Sequence, residues 1–332
     1  MHKGLYTIDF HTHLQDADSQ LDCLAEDRSS LKSIEPLFDQ IASLSEPVHD
    51  ALIRHWALNY RDNLSRFLYA RFGKLGLMEV LRLLRTYDIK KLLASMNRVG
   101  IDHCVIHSIE PLSSTKAILE ITRPHRDRIS VFASVDKAKA DPVAYLRPLI
   151  ESGTVVGIKF HPIVGRFECG EIMLAFSEVV ELAQEADIPV MIHTGHIPTG
   201  KLKAVGGCNE VQALEPLVRK YPRVRFVLAH IGWESWRQVI DLAQRHDNTY
   251  VETSWQPARI IRRAVDKLGS TRVLFGSDFP LFKQSIALGN CREALTEREF
   301  VDVVSVNSRR LLNLANPQPA TSEHKAFDCP EF

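Results

Sequence analysis

Asp9-Phe10-His11-Thr12-His13 closes the first strand-like run of the chain. What stands there separates the two α/β architectures open to a sequence of this pattern. A doubly wound sheet usually carries a glycine-rich phosphate loop after its first strand. Here the position holds a His-x-His pair. Side chains alternate along a strand with period two, so His11 and His13 are expected on one face. Two imidazoles on one side of a strand end can grip one metal ion.

Working outward, strand-like runs recur at 5–13, 101–109, 129–135, 155–161, 189–193, 224–230, 249–253 and 273–278. They are rich in Val, Ile, Phe and Leu, and several are apolar on both faces. That is the pattern of parallel strands covered by helices. Amphipathic helices are expected between them, for example over 172–186 and 210–220. Eight strands alternating with helices predict a (β/α)8 TIM barrel, with the doubly wound fold as runner-up.

One connection breaks the rhythm. About 85 residues separate the first run from the second, too many for an ordinary loop. Helical patterns at 31–44, 49–72 and 77–99 predict a helical insertion, residues 15–98, on the first βα connection. A lid, a pocket wall, a dimer contact and plain scaffold are its candidate roles. The barrel is expected to span 1–314 as a single domain, followed by a polar tail over 315–332.

Composition narrows the class. The 332 residues are 45% hydrophobic and 25% charged, which suits a large globular core. Lys plus Arg and Asp plus Glu are 41 each, so no basic field points to nucleic acid. No run reaches membrane-span length. Six scattered cysteines without a C-x-x-C pair read as reduced thiols, and no leader is expected ahead of the first run. The expected setting is cytoplasmic.

Catalytic groups of such barrels project from the C-terminal strand ends. His11 and His13 end the first run, Lys159 and His161 the fourth, His193 the fifth, His230 the sixth and Asp278 the eighth. Alone, each has an ordinary reading: a hydrogen-bonded core histidine, a snorkelling lysine, a capping aspartate. Together, five strands deliver metal-competent or proton-transferring side chains at one end. Imidazole and carboxylate ligands suit zinc and also permit manganese or iron. A bound ion would activate water, and an aspartate beside it would move the proton. His103, His107 and His196 are expected to be structural. Trp255, Arg259, Lys201 and Lys203 lie near βα connections, where they either touch an anionic substrate or form solvated surface.

The chain resembles the amidohydrolase superfamily, in its amidohydrolase-2 branch. The resemblance rests on the first run, on Gly157-Ile158-Lys159-Phe160-His161-Pro162, Ile192-His193-Thr194-Gly195, Leu228-Ala229-His230-Ile231-Gly232 and Phe275-Gly276-Ser277-Asp278-Phe279-Pro280. A final helix at 307–314 fits as well. It implies a metal-dependent TIM barrel in which His11, His13, His193 and Asp278 bind the metal. Asp278 would also transfer the proton, and His230 would orient water or substrate. Lys159 is a fork. Carboxylated, it would bridge two metals with His230 as a further ligand; free, it would offer its charge to a substrate carboxylate or oxyanion. One metal is expected.

Lys159, His161 and Trp255 are the expected substrate contacts. Hydrolysis of an amide, lactone or ester is the first expectation, because Lys159 is unusual among the branch's decarboxylases. Nonoxidative decarboxylation or hydration of an aromatic or unsaturated acid is the alternative. A non-catalytic metal-binding barrel is the remaining one. A homodimer is what the branch suggests.

Overall fold

The computed structural model describes residues 4–15, 83–84, 86–136, 138–165, 167, 172–195 and 211–314. Eight parallel strands form one sheet in sequence order. They are β1 (Ile8–Thr12), β2 (His103–His107), β3 (Ile129–Ser134), β4 (Gly157–Phe160), β5 (Val190–Ile192), β6 (Phe226–Leu228), β7 (Thr249–Glu252) and β8 (Val273–Leu274). The last run closes on the first. Phe10 N–H donates to the Phe275 carbonyl at 2.9 Å, and Asp278 N–H donates to the His11 carbonyl at 2.7 Å. The fold is a TIM barrel, and each expected strand-like run holds one strand.

The helices of the ring are α1 (Ile89–Val99), α2 (Thr115–Thr122), α3 (Pro142–Glu151), α4 (Ile172–Glu185), α5 (Val211–Lys220), α6 (Trp236–Arg245), α7 (Ala258–Leu268) and α8 (Gln284–Ala294). A C-terminal pair follows, α9 (Glu297–Val301) and α10 (Asn307–Leu311), joined by a wider turn at Asp302–Val306. The apolar stripe of α7 shows why these segments are helical. Ile260, Ile261, Ala264, Val265 and Leu268 recur at helical spacing and are all buried against the sheet.

Two apolar layers result. One lies between strands and helices. The other fills the barrel itself, with Ile8, Phe10, Val105, Phe132, Met191, Val227 and Leu274, joined by Leu311 and Leu312. Gly157 makes this filling work: a Cβ there would stand 2.3 Å from the Phe132 ring. The polar site sits above this inner layer, at the strand ends.

Two differences from the sequence reading have local causes. The helix expected over 77–99 has a fresh start at Ile89, where Asp88 caps the Lys91 N–H at 2.9 Å. It belongs to the ring: Leu92 and Met96 are buried in the outer layer, and Ser95 donates to Gln284 of α8 at 2.7 Å. The rest of the proposed insertion, 16–82, and the tail, 315–332, lie outside the described residues. So do His196, Lys201 and Lys203. The eighth run is a strand for only two residues, because Phe275 N–H turns to the Val303 carbonyl at 2.9 Å. Among the described residues no helix is long and apolar enough to cross a membrane.

The C-terminal pair is pinned to the ring by a bidentate ion pair. Arg262 of α7 donates to both Glu299 oxygens, at 2.6 and 2.9 Å, and Glu299 also accepts from Thr296 N–H in a capping box. Arg262 holds the Glu299 carboxyl down at about 2, from an ordinary value of 4.5. A carboxyl lowered on folding stabilises above its unfolded value and loses that contribution as pH falls through the folded one. Glu299→Gln should therefore cost about 1–2 kcal/mol at pH 7, allowing for the partial exposure of the pair. Urea titrations of both proteins should show the gap closing between pH 4.5 and about 2. A pH-independent gap would rule out the ionic origin.

Candidate active site

Strict alternation would separate Phe10, which faces the barrel interior, from His11. A register shift between Asp9 and Thr12 resolves this and lets both turn inward. Asp9 fixes the shift from behind. Fully buried, it accepts from His11 N–H at 3.2 Å, Ser277 N–H at 2.9 Å, Ser277 Oγ at 2.5 Å and Gln284 Nε2 at 2.9 Å. Burial pushes its carboxyl up to about 6 against those bonds. Asp9 thus ties the His-x-His strand to the segment carrying Asp278. That segment turns sharply, with Asp278 in the left-handed region at φ 62°.

Three acceptor atoms converge where these segments meet. His11 Nε2 and His13 Nε2 are 3.1 Å apart, and Asp278 Oδ1 lies 3.0 Å from the second and 3.4 Å from the first. The opposite nitrogens show which protons are where. His13 Nδ1 donates to the His107 carbonyl at 2.8 Å, and His11 Nδ1 donates to Glu252 Oε2 at 2.8 Å. Burial, then the nearby Lys159 charge, pushes the His11 imidazole well below the usual histidine range. Neutral rings protonated on Nδ1 present Nε2 lone pairs. Asp278 Oδ1 is buried and has no hydrogen-bond partner among the described residues. Lone pairs gathered this way repel unless a cation or a proton lies among them. Two nitrogens and one carboxylate oxygen form the donor set of a divalent metal, and the residues fit such an ion.

Lys159 lies fully buried beside this cluster, its Nζ 3.1 Å from His11 Nε2. Burial pushes the ammonium down, while Asp278 and Glu252 pull it up. His193 stands one step away. Its ring stacks on His161, with centroids 3.9 Å apart, and its Nδ1 faces His230 Nε2 at 3.1 Å. Its Nε2 is shielded from solvent and has no partner among the described residues. His193 is not in the close group formed by His11, His13 and Asp278. His161 Nδ1 accepts Val164 N–H at 3.4 Å.

Trp255 touches the site through Asp278. Its indole N–H donates to Asp278 Oδ2 at 2.6 Å, so one carboxylate oxygen is held while the other faces the histidines. The half-buried Trp255 ring lies tilted against Phe282 and Trp233, with centroids 5.1 and 5.6 Å away. Arg259 is exposed on α7.

His230 opens a left-handed run through Ile231, Gly232 and Trp233, with φ of 60°, 45°, 74° and 49°. A β-branched residue rarely adopts this conformation, and the turn is held from outside. Gln256 donates to the carbonyls of His230 and Trp233, at 2.6 and 3.2 Å.

A family model described as Amidohydrolase matches residues 8–314. The chain belongs to the amidohydrolase-2 family. No curated protein matches it. Among solved structures, this amidohydrolase-2 enzyme is similar to 5-carboxyvanillate decarboxylase from Sphingomonas paucimobilis. That match is 16% identical, covers 94% of this chain and 100% of that one, and has a TM-score of 0.60. It is similar to a dihydroxybenzoic acid decarboxylase from Polaromonas sp. JS666, solved with manganese and the inhibitor 2-nitroresorcinol: 14% identical, 95% and 99% covered, TM-score 0.60. A 5-carboxyvanillate decarboxylase from Novosphingobium aromaticivorans, also with manganese, is 15% identical over 94% and 97%, TM-score 0.60. At such identities the likeness establishes the barrel fold.

One residue not singled out in the sequence also belongs here. Glu252, at the end of β7, is fully buried against His11 and His230. Its signal was a carboxylate at the strand-end position that the other candidates share. His107, expected to be structural, has its ring 5.0 Å from that of His11 and donates from Nε2 to the Phe10 carbonyl at 2.8 Å. His103 points elsewhere, to Ser130 at 2.9 Å.

Proposed function

We propose that this amidohydrolase-2 enzyme is a divalent-metal-dependent nonoxidative decarboxylase of an aromatic carboxylic acid. The observation that carries the reading is Asp278. One of its oxygens faces the donor cluster, and the other is held by the indole of Trp255 within an aromatic cluster. An acid fixed beside flat apolar rings suits protonation of an aromatic carbon. The likeness to decarboxylases supports the same choice over the hydrolase expected from Lys159.

His11, His13 and Asp278 would hold the ion, with His193 as a further ligand and one ion per chain. When bound, the ion supplies Lewis acidity and orients the substrate's oxygens. Manganese is favoured by the neighbours that contain it; zinc and iron suit the same donors. Trp255 offers its ring face to the substrate ring. Lys159 supplies a buried positive charge to its anionic group. Asp278, having taken a proton from solvent before the step, gives it to the ring carbon that bears the carboxylate and is left as a carboxylate. The bond from that carbon to the carboxylate breaks, its electron pair stays on the ring carbon, and CO2 leaves.

Hydrolysis of an amide, lactone or ester is the second reading, and Lys159 favours it. A cation 3.1 Å from His11 Nε2 could hold a developing oxyanion.

One assay separates the two. The purified protein, loaded with manganese, zinc or iron, is offered hydroxylated benzoic acids beside lactones, esters and N-acyl compounds. Decarboxylation predicts CO2 and, in D2O, one deuterium at the vacated ring carbon. Turnover of a carbonyl substrate with no CO2 from any acid would overturn it.

A further inference from the structure

Glu252 makes more contacts than its place in the short strand-like run 249–253 requires. Both oxygens lie inside the protein, and four donors reach them. Oε2 accepts from His11 Nδ1 at 2.8 Å, from His230 N–H at 3.2 Å and from Ser254 Oγ at 2.8 Å. Oε1 accepts from Ser254 N–H. Gly276 leaves the room: a Cβ there would stand 2.3 Å from Oε1.

The donors form a chain with a fixed direction. Ser254 Oγ has one proton. With that proton given to Glu252, the oxygen has only lone pairs left for His230 Nδ1, 2.6 Å away. His230 must then carry its proton on Nδ1. His11 carries its own on Nδ1 for the same reason, facing the same carboxylate oxygen. One carboxylate therefore decides two tautomers, one directly and one through a hydroxyl.

We propose that Glu252 is a positioning residue that sets the Nδ1–H tautomers of His11 and His230 together, turning both Nε2 lone pairs toward the barrel mouth. The His11 lone pair then faces His13 and Asp278, and the His230 lone pair faces His193 Nδ1. Glu252 itself is not a ligand of that centre. It meets His11 at the ring nitrogen opposite the one that joins the cluster. A single imidazole cannot present lone pairs on both nitrogens to two cations without losing its proton. The close group of His11, His230 and Glu252 is thus a hydrogen-bonded support for the group of His11, His13 and Asp278.

The consequence for metal affinity rests on the reading of that centre; the tautomer assignment does not. The two are tested separately. Histidine-15N-labelled, metal-free protein is examined by long-range 1H–15N correlation, with His11→Gln and His230→Gln used for assignment. Wild type should show both rings as Nδ1–H. Ser254→Ala should release His230 from that tautomer and leave His11 in it. Glu252→Leu should release both, because it removes the acceptor oxygen that His11 Nδ1 and Ser254 Oγ both face.

Manganese titration of the same proteins should show about 10- to 100-fold weaker binding for Glu252→Leu and a change under about threefold for Ser254→Ala. Nε2–H tautomers in wild type, or an unchanged His230 in Ser254→Ala, would overturn the proposal even if Glu252→Leu failed to fold. A folded Glu252→Leu with wild-type tautomers would overturn it as well. Wild type that binds no manganese, with both tautomers as assigned, would remove the metal reading and leave Glu252's role standing.

Discussion

Asp278→Asn should lower kcat by at least about 10³-fold while the protein stays folded. The geometry says which way the new amide will sit. Trp255 donates its N–H to Oδ2 at 2.6 Å, so the amide oxygen is kept there. The amide nitrogen is then forced into the Oδ1 position, 3.0 Å from His13 Nε2 and 3.4 Å from His11 Nε2. Its two hydrogens meet two lone pairs. The variant should therefore lose both the proton donor and the open side of the cluster. Metal-free Asp278→Asn should be at least as stable as metal-free wild type in urea, because the lone-pair crowding is relieved. Activity near the wild-type level would remove Asp278 from its role. Normal folding with normal metal content and no activity would confine that role to proton transfer.

His13→Ala should reduce bound metal to below about a tenth of wild type, measured by elemental analysis after purification without chelator. The ring gives up a ligand atom and an anchor together. Its Nδ1–H bond to the His107 carbonyl disappears, leaving that buried acceptor unpaired. The expected cost to folding is about 1–3 kcal/mol, separate from the metal effect. His161→Ala is the useful control. His161 stacks on His193 and takes no place among the close donors, so metal content should hold while substrate affinity changes. Equal metal loss in both variants would mean that the centre is assigned to the wrong histidines.

The barrel was legible because parallel strands buried on both faces leave long apolar runs, and helices between them leave periodic ones. Strand length was less legible. Phe275 continues the apolar pattern of β8, but its N–H bonds to Val303 from the far end of the chain, a partner that no local pattern encodes. The candidate site was partly legible for the same topological reason: strand ends are visible, so His11, His13 and Asp278 could be placed at one end of the barrel. Their joining on one point needed the β1 register shift and the left-handed turn at Asp278, which depend on Asp9 reaching across to Ser277 and Gln284. Trp255 was expected to meet substrate, and the structure adds its bond to Asp278. Glu252 escaped notice because one carboxylate in a short run carries no spacing signal; its importance lies in four donors brought from three strand ends. His193 was grouped with the ligands by resemblance, and the structure sets it beside His161 and His230, one step from the closest donors.

The most direct test is a crystal structure of protein loaded with manganese, with anomalous scattering recorded at the manganese edge. The account predicts one peak per chain, bounded by His11 Nε2, His13 Nε2 and Asp278 Oδ1, with Glu252 outside its coordination. No peak among those three atoms, or a peak held by Glu252, would contradict it.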